Sequence, residues 1–336
     1  MSDLIRWGIL STANIGRKAV VPAIQKASNS RLAAVASRDH AKAQNFASDF
    51  AIPRVHDSYE ALLADTEVDA VYIPLPNSMH KAWVIKAAEA GKHILCEKPL
   101  GLNARECLSM AEAAAHHGVK LMEAFMYRFH PRTEAVFEMM RNHSLGEVNL
   151  IRSSFTFKLD NPSNIRLNPE LGGGSLMDVG CYCVNVCRSI YGQEPLEAQA
   201  FAYFGKSGVD EQMVASLRFP GERYAQFHSA LTLPRRQEYE VIGAKGQLKI
   251  ADAFVPGTSD VAIDVTKADG TRVEHSFSGV DHYQLMVEHF ADCIRLDKDP
   301  RYSANEAAAN MRVIEALYAS ALNHGKPTAI EHFSAM

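Results

Sequence analysis

Short, largely apolar runs punctuate the first third of the chain: Ile5–Leu10, Leu32–Ser37, Ala70–Ile73, His93–Glu97 and Lys120–Glu123. Each has the length of a strand and is too short for a stable helix. The longer stretches between them, Gly16–Ala27, Ala41–Phe50, Ser78–Ala90 and Ala104–His117, carry helical spacing. Gly91 and Gly118 sit just past two of these stretches, where helices commonly end on a left-handed residue. Strands alternating with helices predict a parallel sheet wound on both faces.

Beyond Glu123 the pattern changes. Glu147–Phe157, Ala198–Phe204, Met213–Phe219, Tyr224–Ala230, Glu238–Ile242 and Gln247–Ile250 are successive strand candidates, with one helix expected at about Ser175–Tyr191. Two closing helices are expected over His282–Leu296 and Asn305–His324. The expected fold class is α/β: a Rossmann-type, doubly wound domain over 1–125, then an α+β domain over 126–336. The second domain is expected to hold a large, mostly antiparallel open sheet.

A length of 336 residues allows two separate cores at roughly 100–200 residues per domain. With 47% hydrophobic and 22% charged residues, the composition is that of a globular protein. The net charge of −4 supplies no basic surface for nucleic acid. Residues 1–6 lead straight into the first strand without the charged-then-apolar pattern of a signal peptide. No apolar stretch approaches the ~20 residues that span a bilayer. A cytoplasmic protein with no membrane partner is expected. Cys181, Cys183 and Cys187 cluster as metal ligands do, but Cys96, Cys107 and Cys293 are scattered singly. Buried reduced thiols and no metal are the expectation.

The turn after the first strand reads Gly8-Ile9-Leu10-Ser11-Thr12-Ala13-Asn14-Ile15-Gly16. A dinucleotide fingerprint would place glycine at 11, 13 and 16; here the residues are Ser11, Ala13 and Gly16. Small residues still let the backbone approach a pyrophosphate at a helix N-terminus, so Ser11, Thr12, Ala13, Asn14 and Ile15 are candidate cofactor residues. The second strand ends Ser37-Arg38-Asp39. Ser37 and Arg38 suit the 2′-phosphate of NADP, since guanidinium pairs with phosphate through charge-assisted bonds. The alternatives are a solvated Arg38, and Asp39 gripping the ribose of NAD. NADP is the expected cofactor, with NAD possible.

Four further motifs are specific in combination: Pro74-Leu75-Pro76-Asn77-Ser78-Met79-His80, Glu97-Lys98-Pro99, Glu123-Ala124-Phe125-Met126-Tyr127-Arg128-Phe129, and Gly172-Gly173-Gly174-Ser175-Leu176-Met177-Asp178-Val179-Gly180-Cys181-Tyr182. With them, nearly the whole chain resembles the glucose–fructose oxidoreductase / inositol dehydrogenase (Gfo/Idh/MocA) family. It is most similar to the branch of dimeric dihydrodiol dehydrogenases, NADP-dependent xylose dehydrogenases and glucose–fructose oxidoreductase. Inositol-dehydrogenase-like members carry histidine where this chain has Tyr182, which moves the acid–base role to tyrosine.

The resemblance implies hydride transfer between nicotinamide and the alcohol carbon of a sugar, cyclic polyol or trans-dihydrodiol. Tyr182 would exchange the proton and Lys98 would assist it. A phenol titrates near 10, and a neighbouring ammonium lowers that value. Asp178, four residues before Tyr182 on one helix face, would bind a substrate hydroxyl. Pro74, Leu75, Asn77, His80, Glu97, Lys98 and Glu123 would line the cofactor, with helix-start capping or packing the alternative for His80. Phe157, Tyr127 and Phe129 are candidates to wall a sugar ring, with core packing the competing role. A cis Lys98–Pro99 peptide and a homodimer through the open sheet face complete the expectation. A non-catalytic nucleotide-binding regulator on the same fold would be free to lose the lysine–tyrosine pair, and this chain keeps both residues.

Overall fold

The computed structural model describes residues 4–331, and its first sheet realises the strand–helix alternation of the sequence. In order come β1 (Ile5–Leu10), α1 (Val21–Lys26) led by a π-helical turn at Gly16–Val20, β2 (Ser30–Ala36) and α2 (His40–Asp49). Then follow β3 (Arg54–His56), α3 (Tyr59–Leu63), β4 (Ala70–Ile73), α4 (His80–Glu89), β5 (His93–Cys96), α5 (Ala104–His116) and β6 (Leu121–Glu123). The strands pair in parallel in the order β3-β2-β1-β4-β5-β6. β1 lies between β2 and β4, and Trp7, Ile9 and Leu10 within it are fully buried. Gly91 and Gly118 take positive φ at the helix ends, as expected.

The elements β3 and α3 have no counterpart in the sequence reading. A three-residue strand and a five-residue helix are shorter than any periodicity can register. What fixes α3 is local: the Ser58 side chain accepts the Ala61 N–H at 3.0 Å and caps its start.

The second sheet has the strands β7 (Val148–Lys158), β8 (Glu197–Phe204), β9 (Asp210–Phe219), β10 (Arg223–Ala230), β11 (Thr232–Gly243), β12 (Gly246–Ile250), β13 (Val261–Lys267), β14 (Arg272–Phe277) and β15 (Thr328–Ala329). Their order is β14-β13-β12-β11-β7-β10-β9-β8-β15. Every pairing is antiparallel except that of β7 with β10. The helices α6 (Pro131–Arg141), α7 (Cys181–Tyr191), α8 (His282–Arg295) and α9 (Ala304–Leu322) complete the described elements. β13, β14, β15 and α6 are additions to the sequence reading.

Two compact units emerge, 1–126 with 281–308 and 127–280 with 309–336. The first unit thus takes in 281–308 besides the N-terminal stretch. Contacts invisible to local pattern cause this. The Phe290 ring of α8 lies 5.9 Å from that of Trp7, and Asn29 donates to Glu288 O at 2.9 Å and Asp292 Oδ1 at 2.8 Å. Among the described residues, no helix is long and apolar enough to cross a membrane.

Candidate active site

In a parallel sheet of this order, ligands lie at the carboxyl ends of the strands where the order reverses, here β1 and β4. The loop after β1 holds Ser11 at φ 128°, a conformation that suits glycine, at the place where the fingerprint has glycine. Serine is kept there by its own hydroxyl, which accepts the Ala13 N–H at 3.3 Å and donates to Pro74 O at 3.4 Å. Thr12 and Ala13 are half-buried, whereas Asn14 and Ile15 are exposed at the helix start. First-turn N–H groups have no acceptor within their own helix, so this loop fits the phosphates of a dinucleotide.

At the end of β2, Ser37 is buried and its Oγ accepts the Asp39 N–H at 3.2 Å. Arg38 is exposed and lies beside the Tyr59 hydroxyl. Asp39 is already committed: Oδ1 accepts the Lys42 N–H at 3.1 Å, capping α2, and the Lys42 ammonium stands 3.4 Å from Oδ2. These bonds hold its carboxyl below the ordinary range.

After β4, Pro74 and Leu75 are buried and Asn77 is half-buried. His80 is fully buried, with Nε2 2.9 Å from Leu75 O and Nδ1 3.0 Å from Pro99 O. Burial lowers its pKa, against the pull of the two carbonyls, and the Lys98 charge lowers it further. Both ring nitrogens face backbone oxygens, and the single N–H of a neutral imidazole bonds one of them. The Lys98–Pro99 peptide is cis, as expected. Just past it, Leu100 N donates to Glu123 Oε1 at 2.8 Å, so buried Glu123 at the end of β6 fastens this turn. Glu97, half-buried, accepts the Tyr72 hydroxyl at 2.5 Å, and Lys98 is half-buried beside it. Burial and the Glu97 carboxylate push the Tyr72 phenol well up.

In the second unit the expected helix at 175–191 forms in two parts, a π-helical turn at Leu176–Gly180 and then α7. Asp178 lies in the turn, and its Oδ2 accepts from Arg166 Nε at 2.6 Å. The Arg166 guanidinium also stands over the Phe157 ring, 5.8 Å from its centre. The loop that supplies Arg166 folds back on the glycine run, where Gly174 N donates to Arg166 O at 2.9 Å and Gly173 N to Asn168 O at 3.0 Å. A Cβ on Gly173 would lie 2.4 Å from Arg166 O, so a side chain there would push the loop away.

Tyr182, in the first turn of α7, is 3% exposed. Its ring packs among Phe155 at 5.3 Å, Phe254 at 5.3 Å and Tyr127 at 5.9 Å. Tyr127 is itself held by its hydroxyl on Asn185 Oδ1 at 2.6 Å, and Phe129 is buried. Phe254 is aimed by its neighbours. The Arg132 guanidinium donates to Ala251 O at 2.8 Å and Asp252 O at 2.7 Å, and the Gln237 side chain brackets Val255 through N and O. All six cysteines are buried free thiols, and burial pushes Cys183 up to about 12.

The first unit carries the expected cofactor residues at or just after the ends of β1, β2, β4, β5 and β6, with His80 at the start of α4, and in the second Arg166 links Asp178 to Phe157 while Tyr182 sits in its own cluster of rings. Arg166, Phe254 and Tyr72 were missed. Phe155 had a signal, because it shares a strand face with Phe157 at i,i+2.

Known proteins match this arrangement along its length. The model for the oxidoreductase family with an NAD-binding Rossmann fold matches residues 5–125, and the GFO/IDH/MocA C-terminal domain matches 133–249. The chain is 42% identical to D-xylose 1-dehydrogenase (NADP(+)) 2 of Haloferax volcanii, covering 94% of this chain and 97% of that one. It is 32% identical to trans-1,2-dihydrobenzene-1,2-diol dehydrogenase of Xenopus tropicalis, covering 86% and 89%. Among solved structures, a 3-ketoreductase of Actinomadura kijaniata in complex with NADP and TDP-benzene superposes with a TM-score of 0.90 at 26% identity, covering 95% and 98%. The aldose-aldose oxidoreductase of Caulobacter crescentus complexed with glycerol gives 0.90 at 27%, covering 97% and 99%.

The Arg132 clamp depends on a histidine. His130 Nδ1 accepts the Arg132 N–H at 3.0 Å and caps α6, so a proton on that nitrogen breaks the cap. Burial and the Arg132 charge push His130 down to about 4. An unfolded histidine takes its proton near 6.5, so this group's contribution to stability is lost as pH falls from about 6.5 toward about 4. Urea unfolding at about pH 5 should therefore show ~1–2 kcal/mol less stability from this source than at about pH 7.5. His130→Asn, which caps without titrating, should narrow that gap; an unchanged gap would exclude His130 as its origin.

Proposed function

Because the chain belongs to the Gfo/Idh/MocA oxidoreductase family, we propose that its substrate is an aldose or a closely similar polyol, oxidised reversibly at a hydroxyl-bearing carbon. The enzyme is an NADP-dependent dehydrogenase acting on CH–OH groups. The observation that carries the substrate reading is the Asp178–Arg166 pair one helical turn before Tyr182. A carboxylate held by arginine stays ionised and accepts hydroxyl hydrogens, which is what a polyol presents.

NADP, when bound, supplies the nicotinamide that takes the hydride. The protein's part is to move a proton and to orient the alcohol. Tyr182 takes the hydroxyl proton, with the Lys98 charge favouring the phenolate. Asp178 accepts a neighbouring hydroxyl and so fixes which carbon faces the hydride acceptor. Ser37 and Arg38 receive the 2′-phosphate, a reading supported by the commitment of Asp39 to capping α2.

We further propose a homodimer through the open face of the nine-stranded sheet. Register aligns Phe201, Val214, His228, Ser154 and Glu238 in one row across five strands. The adjacent row is Gln199, Ser216, Gln226, Arg152, Glu240 and Lys249. Phe201 and Val214 are 61% and 62% exposed, and the charged end of the face forms a concavity of about 500 Å³. A sheet face that is apolar at one end and charged at the other suits a two-fold contact with itself.

Three measurements test these readings. Tyr182→Phe keeps the ring and removes the ionisable oxygen, so turnover of an aldose with NADP should fall by about 10²–10⁴ with cofactor affinity retained; near-normal turnover would remove Tyr182 from the chemistry. Arg38→Ala should weaken NADP binding by ~1–3 kcal/mol in calorimetry and leave NAD nearly unchanged, and equal losses for both would refute the 2′-phosphate assignment. Sedimentation at micromolar concentration should give a dimer, and Val214→Asp a monomer. A monomeric parent protein would refute the interface.

A further inference from the structure

A carboxylate of the second unit is buried with neutral partners alone. Asp210, at the start of β9, is 1% exposed, and among the described residues no cation pairs with it. Its Oδ2 accepts from the Ser175 hydroxyl at 2.7 Å and from the Leu176 N–H at 2.7 Å, and its Oδ1 accepts the Tyr318 hydroxyl at 2.7 Å. Ser175 Oγ also lies 3.0 Å from Ser229 Oγ on β10. Gly174, at φ 119°, passes so near that a Cβ would stand 2.1 Å from Oδ1. The titratable groups facing this cluster are Asp210, Tyr318 of α9 and, beside the Tyr318 hydroxyl, Cys181.

Three donors converge on the two oxygens of Asp210, and an amide, with one acceptor oxygen, would take only two of them without reversing the third. Burial raises the pKa of Asp210, and its three hydrogen bonds only partly oppose that. An acid whose folded pKa is raised loses stability as pH rises through that value, so its charged form is held at a cost. What the charge does is stand at the N-terminal end of the helical run 176–191, where the dipole favours an anion. That run holds both Asp178 and Tyr182.

We propose that Asp210 is a positioning residue for hydride transfer: by clamping the first turn of this run, its carboxylate fixes where Asp178 and Tyr182 stand. The inference rests on the acid–base reading of Tyr182 given above.

Asp210→Asn tests it with little change of shape. The amide oxygen can accept from Ser175 and Leu176 while its NH₂ donates to the Tyr318 oxygen. The variant should melt at or above the parent temperature and bind NADP with unchanged affinity. Its KM should hold while kcat falls by about tenfold, the scale of a small misplacement of reacting groups. The acid limb of the kcat–pH profile should move down, because a negative charge at the start of the helical run that carries the phenol is removed. Tyr318→Phe, which takes away one donor, should lower kcat severalfold at constant KM, and it decides the matter if Asp210→Asn does not fold. Wild-type kcat with an unmoved limb, while Tyr182→Phe is inactive, would overturn the positioning role. Parallel loss of melting temperature and kcat with an unmoved limb would overturn it too, leaving a structural cap. Normal turnover in Tyr182→Phe would instead strike the acid–base reading itself.

Discussion

A strand buried between two parallel neighbours has no free edge, so the chain must leave it at its ends. β1 is such a strand: Trp7, Ile9 and Leu10 are sealed in the core, and Ser11 is the first residue released. Because β4 lies beside it, the loops after the two strands start as neighbours, and the Ser11 hydroxyl spans from one to the other. The cofactor cradle follows from that placement. Its acceptors and donors are backbone groups that the strand ends can no longer use, and the residues after β2, β5 and β6 line up along the same edge.

The second unit rests on a different device. One helical run carries Asp178 and Tyr182, for which a catalytic role is proposed, and the run is held by its surroundings. Asp210 holds the start, the glycine loop brings Arg166 to Asp178, and rings from β7, the segment before α6 and the segment after β12 enclose Tyr182. Several of these supports are polar and buried, and Asp210 and His130 lie away from their ordinary pKa values. Stability is traded for geometry at those points.

The Rossmann half was legible in the sequence because its strands are buried on both faces and read as apolar runs of strand length. The cofactor loop and the Glu97-Lys98-Pro99 turn were legible because each is contiguous. The parts that escaped are short or non-local. β3 and α3 span fewer than two periods of their patterns, and α8 looks like any amphipathic helix until Phe290 meets Trp7. Asp210 is a single aspartate at a strand start, and its role exists only once Ser175, Leu176 and Tyr318 have converged on it. Arg166 and Phe254 lie in loops with no spacing to mark them, and their importance comes from what they touch.

His80 has a mechanical consequence. Its ring lies between two loops, with Leu75 O of one 2.9 Å from Nε2 and Pro99 O of the other 3.0 Å from Nδ1. A planar imidazole has no torsion between its nitrogens, so it acts as a strut of fixed length. The backbones at Leu75 and Pro99 therefore cannot approach each other more closely than the width of the buried ring.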